Sequence, residues 1–348
     1  MDDLLAQLRA AAEPTRLRLL ALCARGAWCV SDLCAVLGQS QPRLSRHLRL
    51  LTEAGLLDRT PEGANVYFQV PAGHNLAHAL LARLPEDDAQ LAADRRAAAR
   101  LAAERAREAS AAFQRDGADW DELRALNLPA EAIEAALLRA LPAHPGRLLD
   151  IGTGTGRLLE LVADRADSAL GVDASRAMLA LARARLAERG LAHRCAVRQA
   201  DMYRLPLPDA AFDTVALQMV LHYAEDPAAV LAEAARVLRP GGLLLLADLA
   251  AHDRAALLDR HAHRWPGFDD AAIAGWLGAA GCVPVAVPVS DGRGGQGEGF
   301  GISVAGPLVV RLWTARRLAA PAATQPTSAH PGSPVTEPQN QPLDVSAD

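Results

Sequence analysis

Between Leu4 and Cys23 apolar residues recur every three or four positions, and Glu13-Pro14 interrupts the run. Two helices are therefore predicted over residues 4–24. Ser31 is placed to cap a short helix over 31–37 that Gly38 ends. Ser40 is placed to cap the next, Gln41–Glu53, with Pro42 tolerated in its first turn and Gly55 behind it. Leu56–Thr60 and Asn65–Val70 read as hairpin strands around Pro61-Glu62-Gly63-Ala64, and residues 73–84 return to helix. Residues 86–126 interleave Arg and Glu among alanines and read as a solvated connecting helix.

The pattern changes near Leu128. Strand-like apolar runs (Arg147–Ile151, Ala169–Val172, His193–Gln199, Thr214–Gln218, Leu243–Asp248) alternate with helical stretches at 157–165, 175–189 and 227–238. Such alternation predicts a parallel sheet wrapped by helices, with residues 282–289 and 302–315 as its last strands. The predicted division is a winged helix-turn-helix domain (1–84), a helical linker (85–126), an α/β domain (127–318) and a Pro/Ser/Thr/Gln-rich, disordered tail (319–348).

Half the chain is hydrophobic (51%), yet no apolar run is long enough to span a membrane. The N-terminus lacks a basic-then-apolar leader pattern, so a cytoplasmic location is expected. Five scattered cysteines argue against a disulfide framework. The absence of lysine excludes Schiff-base chemistry and a lysine phosphate clamp. A net charge of -5 looks wrong for a nucleic-acid binder, but Arg43, Arg46 and Arg49 cluster on one predicted helix. Local charge governs groove binding more than the total does.

On that helix Leu44, Leu48 and Leu51 share the inward face. Gln41, Arg43, Ser45, Arg46 and His47 lie opposite, with Arg49 at the edge. Arginine can bridge guanine O6 and N7, and glutamine can pair with adenine. Ser40, Arg49 and the wing residue Arg59 suit phosphates. The competing interpretation, an ordinary solvated helix face, does not account for the complete helical order with its wing. LRAAAEPTRLRLLALC, CVSDLCAVLGQSQPRLSRHLRLLTEAGLL and the NVYFQV wing together resemble the arsenic-repressor (ArsR/SmtB) family over residues 4–84. The resemblance implies a homodimer, built through the first and last helices of the domain, on double-stranded operator DNA. Arsenic sensors of the family carry CVCDLC where this chain has Cys29-Val-Ser-Asp-Leu-Cys34. Cys29 and Cys34 are thus candidates for a soft metalloid, with Cys23 or solvent completing the site, or simply small buried residues. No metal is expected.

Leu148-Leu-Asp-Ile-Gly-Thr-Gly-Thr-Gly156 follows a predicted strand and opens a helix. Gly152, Gly154 and Gly156, with Thr153 between them, allow a tight turn and close approach of a ligand. Asp173 ends the next strand, where a carboxylate can accept ribose hydroxyls. The rival is a dinucleotide site, but the spacing lacks the third glycine of GxGxxG. Asp150 at the strand end would repel a pyrophosphate and suits an ammonium. Asp201 follows the third strand, where an adenine amino group needs an acceptor.

LLDIGTGTG, GVDASRAMLALARARL, RQADMYRLPLPDAAFDTVALQMVLHY and EAARVLRPGGLLLLADL resemble class I S-adenosyl-L-methionine-dependent methyltransferases, over about residues 120–318. The resemblance implies a Rossmann-like fold with a mostly parallel seven-stranded sheet. It also implies that Asp150 and the glycines hold the methionine portion and Asp173 the ribose. Ala174 and Met178 would flank the adenine, Asp201 and Met202 its edge, and Gln218 the active-site mouth. The whole order is similar to fusions of an arsenic-repressor-type winged helix with a methyltransferase.

Methyl transfer from a sulfonium needs mainly positioning, and a base only when the acceptor must lose a proton. His222, Tyr223 and His261 are the candidate catalytic residues, with His252 and His263 beside them on the acceptor side. Tyr223 or Trp120 could wall the sulfonium. His222 has a bland alternative as a hydrogen-bonded strand-end residue. Arsenic methylation is not expected, because Cys195 and Cys282 are the only thiols in this half. The expected function is an ArsR-type regulator that methylates a small molecule. The alternatives are a regulator that senses the adenosyl ligand without catalysis, and an enzyme whose winged helix serves only dimerisation.

Overall fold

The computed structural model describes residues 1–62, 65–71, 76–85, 87–115, 128–254, 263–286, 302–305 and 308–319. Residues 1–318 form one compact unit. The expected tail lies, apart from Ala319, outside the described residues.

Helices α1 (Asp2–Ala11) and α2 (Pro14–Cys23) meet at Glu13, whose carboxylate accepts from the Arg16 amide at 2.8 Å and starts α2. Helix α3 (Val30–Leu37) starts earlier than expected, with Cys29 rather than Ser31 at the cap position, and Gly38 ends it in the left-handed conformation. Ser40 precedes α4 (Gln41–Glu53) but makes no side-chain cap bond. Leu44, Leu48 and Leu51 of α4 are fully buried with Leu19, Leu20 and Leu33, each worth about 1.5–3 kcal/mol of apolar transfer. The wing strands are β2 (Asp58–Glu62) and β3 (Asn65–Gln69), so the first reaches Glu62 rather than stopping at Thr60. An unanticipated β1 (Trp28–Cys29) pairs with β3. Helix α5 spans Leu76–Leu81.

Helix α6 (Ala89–Arg115) corrects the expectation of a solvated connector. It packs on α2 and α3, burying Leu91 and Ala98. Its Asp94, 3% exposed, receives Arg18 through two bonds of 2.6 and 2.7 Å. One face of an Ala/Arg/Glu helix is apolar enough to bury when an alanine-rich surface lies opposite.

The second half contains β4 (Arg147–Ile151), β5 (Ser168–Asp173), β6 (Cys195–Gln199), β7 (Phe212–Gln218), β8 (Leu238–Leu249), β9 (Cys282–Pro284), β10 (Ile302–Val304) and β11 (Val310–Arg317). Their order is β10-β11-β8-β7-β4-β5-β6, with β9 also paired to β11. Strands β4 to β8 pair in parallel, and β11 runs antiparallel to its neighbours. The sheet has eight described strands where seven were expected, because the run at 302–315 divides into the hairpin β10–β11. Gly306-Pro307 in the intervening sequence is a strand-breaking pair.

Both faces of the sheet are covered. Leu148, Ala169, Val197, Leu245 and Leu312 pack with α7 (Ala130–Ala140), α8 (Arg157–Val162) and α9 (Arg176–Glu188). Leu149, Ile151, Val172, Leu217, Leu246 and Trp313 pack with α10 (Pro227–Val237) and α11 (Asp270–Ala279). The chain order reverses between β4 and β7. In open α/β sheets such a switch point leaves a crevice at the carboxyl ends of the strands.

Candidate functional site

The turn after β4 is built by glycine. Gly152, Gly154 and Gly156 all have positive φ (73°, 53° and 78°). A side chain on Gly152 would strike Val220, whereas one on Gly154 would meet none of the described residues within 4 Å. The turn therefore packs against the segment after β7 on one side and is open on the other. The Gly152 and Thr153 amides donate to Val172 O at 2.8 and 3.0 Å, tying the turn to β5.

Three acids stand at successive strand ends. Asp150 is 2% exposed, and among the described residues its Oδ1 has no hydrogen-bond partner. Burial pushes its carboxyl up to about 7; the Thr153 hydroxyl opposes this and the Asp173 charge adds to it. Asp173 Oδ2 accepts from the Gly154 amide at 2.9 Å, and Oδ1 from the Ser175 amide at 2.8 Å. Burial raises the Asp173 carboxyl, and the amides of Ser175, Gly154 and Ala174 pull it back. Each oxygen retains a lone pair for a further donor. Asp201 is exposed, with Oδ1 taking the Tyr203 amide at 3.0 Å. Ala174 O accepts from Gln199 Nε2 at 3.0 Å, and the Met178 amide donates to Ser175 Oγ at 3.3 Å. Met202 packs on the core beside Tyr203, and Gln218 ends β7 before Met219, which is left-handed at φ 52°.

On the acceptor side, His222 and Asp248 are both fully buried, with Nδ1 and Oδ1 2.6 Å apart. The Leu221 and Leu249 amides also donate to Asp248, at 2.9 and 2.8 Å. The rings of Tyr223 and His263 lie 4.3 Å from His222, and Tyr223 is 37% exposed. His252 is shifted downward by burial and by the neighbouring His263 and Arg254 charges. His222 is thus sealed from solvent, with its ring packed against the exposed Tyr223. His261 and Trp120 lie outside the described residues.

Residues 149–246 match the methyltransferase-domain family, and residues 13–59 match the bacterial regulatory proteins of the arsR family. The chain carries an arsR-family segment followed by a methyltransferase domain. It is 38% identical over 115 residues to phosphatidylethanolamine N-methyltransferase of Cereibacter sphaeroides, covering 33% of this chain and 56% of that protein. Over 119 residues it is 39% identical to demethylmenaquinone methyltransferase of Thermus thermophilus, covering 34% and 53%. Over 148 residues it is 36% identical to 27-O-demethylrifamycin SV methyltransferase of Amycolatopsis mediterranei, covering 42% and 54%. The chain spans about half the length of these relatives.

In the arsR-family segment, Ser40 and, on α4, Gln41, Arg43, Ser45, Arg46 and Arg49 are exposed, as is Arg59 on the wing. Arg49 lies 3.8 Å from Glu53. His47 instead turns in, with Nδ1 3.8 Å from Glu13 Oε2, and burial holds it below the usual histidine value. The Cys29 thiol lies 3.0 Å from Ser31 Oγ. Burial raises the Cys34 thiol, and Cys29 adds to the shift. Among the described residues no group of three or more His, Cys, Asp or Glu is arranged to hold a metal, and no helix is long and apolar enough to cross a membrane.

The sequence reading missed Asp248 as a site residue, although it is a fourth acid near a strand end. It also missed Gly171, where a side chain would meet Thr153 Oγ1 at 2.5 Å. Glu62 gave no signal at all, since its partners lie more than a hundred positions away in the methyltransferase domain.

Proposed function

We propose that the chain is a cytoplasmic transcription regulator of arsR type, and that its methyltransferase domain transfers a methyl group from S-adenosyl-L-methionine to a small molecule. It acts as a homodimer on double-stranded operator DNA; the exposed Leu4, Leu5 and Leu8 of α1 support that assembly. The observation that carries the enzymatic half is Asp150. A buried carboxylate oxygen with no partner among the described residues is costly unless a donor arrives to meet it. The open glycine turn beside it and the remaining lone pairs of Asp173 give the same cleft an ammonium site and a diol site.

When bound, the cofactor supplies a methyl group already activated on a sulfonium. Asp150 and the Gly152–Gly156 turn take the amino-acid end, and Asp173 takes the ribose hydroxyls. Ala174, Met178, Asp201 and Met202 bracket the base. Gln218 stands at the mouth, and Tyr223 offers an aromatic wall to the cationic centre. His222, held by Asp248, fixes that wall, so the residues contribute by orienting the acceptor and excluding water. A second reading, a regulator that binds the adenosyl ligand without transfer, draws support from the contact of the wing with α9.

Mass spectrometry of small molecules released by denaturing the purified protein tests the assignment. Adenosylmethionine or its demethylated product is expected. Release of a dinucleotide in their place would overturn it.

A further inference from the structure

The wing is fastened to the methyltransferase domain. Glu62, the last residue of β2, is 5% exposed, and both its carboxylate oxygens lie 2.7 Å from Nη2 of Arg183 on α9. Its Oε1 also accepts from the amide of Gln199, the last residue of β6, at 3.1 Å. The Arg183 guanidinium sits 4.1 Å from the ring centre of Tyr67 on β3. Gln69 Nε2 donates to Ala192 O at 3.0 Å, and Arg198 reaches Thr60 Oγ1 at 3.4 Å. A glutamate is ordinarily solvated unless paired; Glu62 is instead buried against α9 and β6.

The two elements that receive Glu62 are those that carry the adenosyl residues. Helix α9 opens at Ser175 beside Asp173 and carries Met178. Gln199 precedes Ala200-Asp201-Met202, and its side chain bonds both Ala174 O at 3.0 Å and Arg176 Nε at 3.1 Å. The clamp on the wing and the rim of the cofactor cleft are thus one hydrogen-bonded network.

We infer that the adenosyl site has a second function: its occupancy is read by the DNA-binding wing through Glu62. The inference rests on the adenosyl reading proposed above. Two sites that bias one contact share a coupling free energy, so ligand and DNA change each other's affinity by the same factor.

The full-length protein is tested with S-adenosylhomocysteine as the ligand, and with a duplex that the wild-type protein enriches from a random 30-base-pair library. Calorimetry first measures ligand binding. DNA affinity is then read with and without saturating ligand, in the wild type, Glu62→Gln and Arg183→Gln. A change of about fivefold or more in the wild type is expected. It should fall below about twofold in the variants, with ligand affinity kept. Arg183→Gln reads the contact from the other side should Glu62→Gln fail to fold. Ligand that binds without moving DNA affinity, or moves it equally in the variants, overturns the inference and leaves the cofactor reading standing. No ligand binding overturns both. Failure to enrich any duplex overturns the inference together with the regulator reading.

Discussion

His222 Nδ1 lies 2.6 Å from Asp248 Oδ1 with no solvent access to either residue. A carboxylate only accepts, so the Nδ1 proton points at Asp248. Two backbone amides converge on the same carboxylate, one of them from Leu221 immediately before His222. The pair therefore fixes the turn that presents Tyr223.

Breaking this pair should be expensive. Asp248→Ala leaves three donors without their acceptor in a sealed site, at about 1–3 kcal/mol for each buried donor left unsatisfied. Thermal unfolding followed by circular dichroism should show a Tm lowered by roughly ten degrees, given about 2–4 °C per kcal/mol in a domain of this size. An unchanged Tm would remove the structural role assigned to the pair.

Asp150 predicts a pH dependence with a definite sign. Its ordinary value is 3.8, and burial lifts it to about 7 in the folded chain. Between those values the folded state holds a proton that the unfolded state has released, so this group's contribution to stability falls as pH rises through that window. Asp150→Asn should therefore be more stable than the wild type at pH 8, by up to a few kcal/mol at about 1.4 kcal/mol per pH unit. The gap should close toward pH 4 in denaturant melts. An ammonium needs the ionised carboxyl, so cofactor affinity of the wild type should rise from pH 6 to pH 8. A flat profile by calorimetry would detach Asp150 from the ammonium.

The glycine turn makes a sharper structural prediction. Gly152→Ala would place a methyl group against Val220 in a left-handed conformation, so it should lower both Tm and cofactor affinity. Gly190→Ala has similar φ (70°) but no described residue within 4 Å, and serves as the control for conformational strain alone. Equal losses in both variants would show that the contact with Val220 is unimportant.

DNA reading divides between helix and wing. Arg43→Ala and Arg46→Ala should each cost about 1–3 kcal/mol at a selected duplex and relax its sequence preference. Arg59→Ala should lower the slope of log affinity against log salt by about one, as the loss of one phosphate contact requires. Titrations by fluorescence anisotropy at several salt concentrations separate the two. An unaltered slope would take the wing off the phosphate backbone.

The parts legible in the sequence were those set by local chemistry. Pro14, Gly38 and Gly55 punctuate the helices because their backbone preferences act within one turn. Leu44, Leu48 and Leu51 declare their buried face by spacing alone. The acids at 150, 173 and 201 could be aligned because parallel strands repeat the same exit toward one edge. What escaped depends on partners distant in the chain. Nothing near Glu62 signals Arg183, and nothing in the Ala/Arg run of α6 shows that Asp94 is drawn in by Arg18. The Ser31 cap failed for a local reason: Cys29 occupies the cap position and Ser31 lies beside its thiol.

One carboxylate decides whether the cleft beside the glycine turn takes an adenosyl group. Calorimetric titration of S-adenosylhomocysteine into the wild type and Asp173→Ala, both at pH 7.5, measures it directly. Saturable binding by the wild type is predicted, weakened roughly tenfold or more in the variant, as the loss of hydrogen bonds to a charged acceptor implies. Equal affinity in the two proteins, or no heat in either, would contradict the assignment.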